Sequence, residues 1–182
     1  MASSEEFGTT FKAKNGKMLH FRPKRPTDTE MLWEMFSTLS QATLSNLIPP
    51  YTRERIESWT SNVDANYGVF IVAVIEENGK DRIVGNASLK FQPQEVFKHK
   101  CDFAITVHDE YQNLGIGTAL LNYLSQIAKN KGLKKIVLTV NTVNLRALHI
   151  YQKAGFQIEG TLHDEMFWNG KYCDEYRMAL FL

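Results

Sequence analysis

The strongest constraint on this chain lies between residues 101 and 131, where an apolar strand passes through a glycine-spaced turn into an amphipathic helix. Cys101 to Val107 reads as the strand and Gln112-Asn113-Leu114-Gly115-Ile116-Gly117-Thr118 as the turn. From about Gly115 to Lys131 an apolar stripe falls at Ile116, Ala119, Leu120, Tyr123, Leu124, Ile127 and Ala128, a spacing of three and four that packs one helix face into a core. A helix that starts on such a turn presents unpaired backbone N–H groups. With the positive end of the helix dipole they suit a phosphate or pyrophosphate. Gly115 and Gly117 keep side chains out of the way of a ligand approaching the backbone. The run lacks the third glycine of a dinucleotide fingerprint and the glycine-lysine-serine/threonine ending of a nucleotide P-loop. Taken alone, a Gly-x-Gly is equally a tight turn.

The residues downstream decide between the two. Asn144, Ala147 and Tyr151 are spaced by three and four, so they lie along one face of a short helix. Gly155 stands at the end of that helix as a left-handed cap, and Phe156 opens another strand. The ordered pattern Gln-x-x-Gly-x-Gly, a strand, then Asn-x-x-Ala-x-x-x-Tyr-x-x-x-Gly-Phe resembles the GNAT superfamily of acetyl-CoA-dependent N-acetyltransferases.

The remaining elements follow from local patterns. Residues Met1 to about Thr10 are polar and read as loosely ordered. Met18 to Arg22 alternates like an edge strand closed by Pro23. Thr27-x-x-Glu30 forms a capping box before a helix whose apolar face is Met31, Leu32, Met35, Phe36 and Leu39. Pro49-Pro50 ends that region, and Thr52 caps a second short helix through Ile56 and Trp59. Val69 to Ile75 is a buried strand, joined by Glu77-Asn78-Gly79-Lys80 to a partner from Ile83 to Phe91. Gly132 ends the long helix, and Lys135 to Val140 is the next strand. After the Asn144–Ala154 helix, two strands flank Asn169-Gly170, a dipeptide that favours a two-residue hairpin turn. The order β-α-α-β-β-β-α-β-α-β-β describes an α/β protein with a mixed sheet, one domain over residues 1–182.

The resemblance implies more than the pattern does. It implies a GNAT fold: a mixed central sheet splayed between two parallel strands, here Cys101–Val107 and Lys135–Val140, with helices on both faces. A sheet opened in this way leaves ladder N–H and C=O groups for an amide-rich pantetheine arm to satisfy. The coenzyme positions carried over are the backbones of Ile105, Thr106 and Val107, the loop residues Gln112, Asn113, Leu114, Gly115, Ile116, Gly117 and Thr118, and Asn144, Ala147 and Tyr151. The N–H near Val107 corresponds to the donor that polarises the thioester carbonyl.

Tyr151 matches the tyrosine that protonates the coenzyme A sulfur; the other reading is a ring packed on the sheet with its hydroxyl in water. Asn144 either bonds the pantetheine arm or caps its own helix. Where several ribosomal-protein acetylases place a glutamate, this chain has Thr139, which cannot act as a base. Asp102 matches an acidic residue of other members, or else it is a solvated strand-end carboxylate. His108, read as an exposed loop histidine, and His163 with Asp164 are further candidates, so the base stays open.

Acceptor selectivity in the family comes from the early helices, here Leu44 to Trp59, and from the last hairpin. Pro49-Pro50-Tyr51 and Phe167-Trp168 wall a pocket there or fill core. The C-terminal stretch looks like the branch of spermidine acetyltransferases and related small-amine acetylases. Asp164, Glu165, Asp174 and Glu175 either draw a cationic amine or form a solvated face. The implied reaction moves the acetyl group of acetyl-CoA to a primary amine, on a small molecule or a protein N-terminus, by direct attack in a ternary complex. The alternatives are a catalytically silent acetyl-CoA-binding regulatory module and a dinucleotide-binding protein.

Composition agrees without sharpening this. A net charge of +1 gives no electrostatic ground for nucleic acid or an anionic membrane as partner. No apolar run approaches the roughly 20 residues that span a bilayer, and the polar N-terminus has no signal-peptide core. Cys101 and Cys173 lack metal-site spacing and read as buried small hydrophobes rather than a disulfide. The expectation is a cytoplasmic protein without a metal, with a homodimer as one admissible assembly.

Overall fold

A computed structural model of the chain describes residues 8–48 and 50–182. Its eight strands are β1 (Thr9–Lys12), β2 (Met18–Pro23), β3 (Gly68–Glu77), β4 (Lys80–Phe91), β5 (Lys100–Val107), β6 (Lys135–Asn141), β7 (Gln157–Trp168) and β8 (Lys171–Phe181). They form one sheet in the order β1-β2-β3-β4-β5-β6-β8-β7. Every neighbouring pair is antiparallel except β5 and β6. The hairpin turns at Asn78-Gly79 and Asn169-Gly170 hold both central residues at positive φ, the geometry that matches strand twist.

The helices are α1 (Thr29–Ser37), α2 (Gln41–Leu44), α3 (Arg53–Ser61), α4 (Ile116–Asn130) and α5 (Leu145–Lys153). Alternation along β3 sets the two layers. Ile71, Ala73 and Ile75 pack with Leu120, Leu124 and Ile127 of α4, on the face that α5 also covers. Val72 and Val74 face the other way, onto Leu32, Met35 and Phe36 of α1 and Ile56 of α3. The α/β architecture with helices on both faces is therefore as the sequence implied. Among the described residues no helix is long and apolar enough to cross a membrane.

Two local expectations change. The sheet has one more strand than expected: β1 pairs with β2 from Thr9↔Phe21 to Lys12↔Met18, so β2 is not the edge. Its four residues carry too few apolar side chains to register as a strand; backbone pairing and a Phe11 ring stacked on Phe21 at 5.7 Å hold it. Thr9 and Thr10 thus belong to the sheet, while residues 1–7 and Pro49 lie outside the described residues. The second change is at the start of α1, where Thr27 is not the cap. Pro26–Asp28 form a 3-10 turn and α1 begins at Thr29. Asp28, 1 % exposed, accepts two N–H bonds at 2.7 Å from the Arg22 guanidinium and one at 2.8 Å from the Arg25 backbone. This buried two-pronged pair sets where the helix starts.

The feature that positions the site is a break in the sheet. β5 and β6 pair only at Lys100↔Lys135, Cys101↔Ile136 and Asp102↔Val137. Beyond that point β5 continues to Val107 and β6 to Asn141 without facing each other, and the sheet opens as a V.

Candidate active site

A cleft of about 1660 Å³ passes through this opening and reaches both faces of the sheet. Ile105, Thr106, Val107, Gln112, Asn113, Gly115, Ile116, Gly117, Thr118, Asn144, Ala147 and Tyr151 all line it. Leu114 stands back: its carbonyl accepts from the Lys14 N–H at 3.1 Å and its side chain packs on the core.

The turn before α4 is shaped by two left-handed residues, Asn113 at φ 64° and Gly115 at φ 86°. The first bond within the helix runs from the Ala119 N–H to the Gly115 carbonyl. No backbone N–H from Asn113 to Thr118 has a hydrogen-bond partner among the described residues, and no side chain caps the helix. A concave run of free N–H groups at a helix start is an anion site. The two glycines differ in purpose. Gly115 supplies the backbone angle, whereas a methyl at Gly117 meets only Val107 Cγ2 at 3.8 Å and Ile105 Cδ1 at 3.9 Å. Gly117 therefore keeps space clear beside β5 rather than relieving strain.

Gln112 ties this loop to its surroundings. Its amide nitrogen donates to the Val107 carbonyl at 3.0 Å and to Thr43 Oγ1 at 3.1 Å, and its amide oxygen accepts from Arg146 of α5. Burial pushes the Asp109 pKa up, but the bonds it accepts from the Ser40 N–H, the Ser40 hydroxyl and the Thr43 hydroxyl together outweigh that and leave it lowered. These bonds clamp α2 to the end of β5. Lys14 also lines the cleft, its side chain 3.9 Å from where a Gly115 Cβ would sit. Neither Lys14 nor the Ser40-capped α2 figured among the sequence-derived elements, because each meets the loop across a long stretch of chain.

On the α5 side, Asn144 caps its helix, its Oδ1 accepting from the Ala147 N–H at 3.1 Å, so the cap reading of this residue holds. Tyr151 lies edge-on to Phe103 at 6.3 Å and tilted against Phe156 at 5.7 Å. Its hydroxyl has no hydrogen-bond partner among the described residues, and burial pushes the phenol up to about 12.

The opposite face carries the carboxylates Asp102 and Glu175. Register puts Lys90 of β4 opposite Asp102, Ser88 opposite Ala104 and Asn86 opposite Thr106. Asp102 stands at the last β5–β6 pair, exposed, accepting from the Gln92 amide and lining the cleft on the side away from Tyr151. Thr139 lines the cleft too. Neither His108 nor His163 does. His108 is 4 % exposed, not an exposed loop residue: its Nδ1 accepts from the Glu110 N–H at 3.4 Å and its Nε2 lies 3.1 Å from Thr38 Oγ1. A strand-end histidine that caps the next turn is drawn inward by those two bonds. His163 pairs with Asp174, which also takes the Asp164 N–H, on the last hairpin. Of that hairpin's candidates only Glu175 reaches the cleft; Phe167 is exposed and stacks on Tyr172. Tyr51, with Phe36 and Trp59, does wall the cleft, as the sequence suggested for this region.

Comparison with known proteins agrees with this geometry. The model of the acetyltransferase (GNAT) family matches residues 30–156. An L-amino acid N-acetyltransferase of Escherichia coli K12 is 35% identical over 98 residues, 53% of this chain and 60% of that protein. A spermidine N(1)-acetyltransferase of the same strain is 37% identical over 87 residues, 45% of each chain. The matched stretches thus span less than two thirds of either relative. The yncA protein of Salmonella typhimurium, solved with its cofactor acetyl-CoA, superposes with a TM-score of 0.75 at 20% identity, covering 90% of this chain and 93% of that one.

Proposed function

This chain belongs to the GNAT acetyltransferase family, and on that premise we propose that it transfers the acetyl group of acetyl-CoA directly to a primary amine within a ternary complex. The observation that carries the reading is the cleft through the broken sheet, with free helix-start N–H groups and a half-buried phenol on one side and carboxylates on the other. The names of the two Escherichia coli relatives and the acetyl-CoA of the Salmonella protein support it.

In this reading the N–H groups from Asn113 to Thr118 hold the pyrophosphate, and β5 from Ile105 to Val107 lends its open edge to the pantetheine amides. The backbone N–H at Val107 polarises the thioester carbonyl. Asp102 takes a proton from the incoming amine on the α1–α3 face, directly or through water, because a lysine-like amine is free base in only about one molecule in a thousand at neutral pH. Tyr151 faces the departing sulfur from the other side. A phenol near 12 lies about three units above a free thiol, so complete transfer from it is uphill. Tyr151 therefore stays protonated and donates a hydrogen bond to the developing thiolate, while the proton shed by the acylated nitrogen balances the reaction.

Initial velocities of thiol release, measured across a matrix of acetyl-CoA and amine concentrations, test the direct route. Intersecting lines are expected. Parallel lines would mean an acetylated protein intermediate and would overturn direct attack.

A further inference from the structure

Taking the acetyltransferase reading above as premise, we infer that the α1–α3 face of the cleft is built for an amine that also bears a carboxylate, with Lys24 holding that carboxylate.

Lys24 follows β2, its backbone N–H bonded to the Phe70 carbonyl at 2.8 Å. The residue is 6 % exposed and lines the cleft. Its ammonium lies 5.5 Å from the Phe70 ring centre and 6.0 Å from that of Trp59. No hydrogen bond or ion pair reaches it among the described residues, since the carboxylate of Asp28 is taken by Arg22. A buried ammonium that no hydrogen bond or ion pair holds, with the charge of Asp28 offsetting its burial only in part, is costly unless something else pairs with it. Lys90 of β4 lines the same wall and adds to the positive potential, as does Arg177 of β8; Asp102 and Glu175 are the carboxylates facing them.

A second unmet group lies nearer the reaction. Asn86 of β4, opposite Thr106, has its side-chain oxygen buried without a partner among the described residues. That oxygen accepts a hydrogen bond, and an amine poised at β5 has one to donate. The wall thus wants a donor beside β5 and an anion toward β2, which is the polarity of an amino acid-like acceptor. A polyamine would set a second ammonium against Lys24. The hairpin carboxylates Asp164, Glu165 and Asp174 do not line the cleft and offer it nothing there.

Lys24 is not the missing base. Through Phe70↔Ser88 and Ser88↔Ala104 it stands three strands from β5, about 14 Å at ordinary strand spacing, and four methylenes cover less than half of that. It acts on recognition.

The test compares amino acids with their carboxamides and with spermidine, by calorimetric binding in the presence of CoA and, separately, by acetyl transfer from acetyl-CoA. Carboxylate-bearing amines are expected to bind best. Lys24→Met should weaken them about ten- to a hundred-fold in Kd and KM, with kcat and the carboxamide values unchanged. Lys90→Met, at an exposed position that cannot compromise folding, should weaken the same ligands by a smaller factor. Equal loss for acid and amide in Lys24→Met, preference for spermidine or carboxamides, or no carboxylate-bearing ligand at all would overturn the assignment. Carboxylate binding that depends on Lys24 without any acetyl transfer would sustain it and overturn the acetyltransferase reading instead.

Discussion

At the scale of single residues, Tyr151 and Lys24 show what burial does to ionisable groups of opposite sign. Burial holds the Tyr151 phenol neutral well past the physiological range, so its usefulness lies in donating rather than in titrating. Tyr151→Phe keeps the ring contacts with Phe103 and Phe156 and removes the donor. Its kcat is expected to fall about ten- to a thousand-fold with acetyl-CoA affinity unchanged; a parental rate under chemistry-limited conditions would make the hydroxyl structural. For Lys24, burial is the largest cause of a pKa lowered to about 8; Asp28 of the turn before α1 works against the shift and Lys90 of β4 adds to it. The sign follows by linkage. Below pH 8 both folded and unfolded chains hold the proton and the fold bears the full cost; between about 8 and 10.5 the unfolded chain binds more protons, so stability rises with pH. Lys24→Met should therefore gain about 1–3 kcal/mol in denaturant unfolding at pH 7, a gain that shrinks toward pH 10.5. A destabilised variant would mean that the ammonium has a partner in the free protein. Tyr151 was legible from its spacing to Asn144 and Gly155, since helix periodicity is local. Lys24, Lys14 and Asn86 were not, because their meaning comes from strands brought together across the sheet.

The elements that matter most are the turn and helix from Gln112 to Asn130. Their character was readable because every cue is local: β-branched strand, glycine spacing, apolar stripe. The two glycines now separate. Gly115→Ala forces a side chain to φ 86° and should cost about 1 kcal/mol or more of stability with the anion site otherwise intact. Gly117→Asp fits the fold, since a Cβ there meets only ordinary contacts, but sets a carboxylate among the free N–H groups. It should keep the parental melting temperature and lose acetyl-CoA binding in calorimetry; parental affinity would remove the pyrophosphate from this loop. The N-terminal elements were less legible. β1 and α2 are four residues each, too short for periodicity to speak, and the start of α1 depends on an Arg22–Asp28 pair spanning two elements. The buried state of His108 likewise depends on Thr38 across the fold.

Across the whole molecule, the break between β5 and β6 joins the two layers into one route. A continuous parallel pair would seal α4 and α5 from α1 and α3; pairing that stops at Asp102↔Val137 leaves the edge of β5 beyond it open to a ligand. Acetyl-CoA at a hundred times its Kd should accordingly add about 2.7 kcal/mol of stability to the parent, read as a rise in melting temperature, and none to Gly117→Asp. Binding alone, however, would also satisfy a silent regulatory module. The direct measurement is acetyl-CoA labelled with carbon-13 in the acetyl group, incubated with the protein and amine acceptors and followed by NMR and mass spectrometry. The label is expected to appear as an amide on the acceptor nitrogen, with one free CoA thiol for each amide formed. Label that stays on the thioester, or leaves only as acetate while every amine is unchanged and acetyl-CoA is demonstrably bound, would contradict the acetyltransferase assignment.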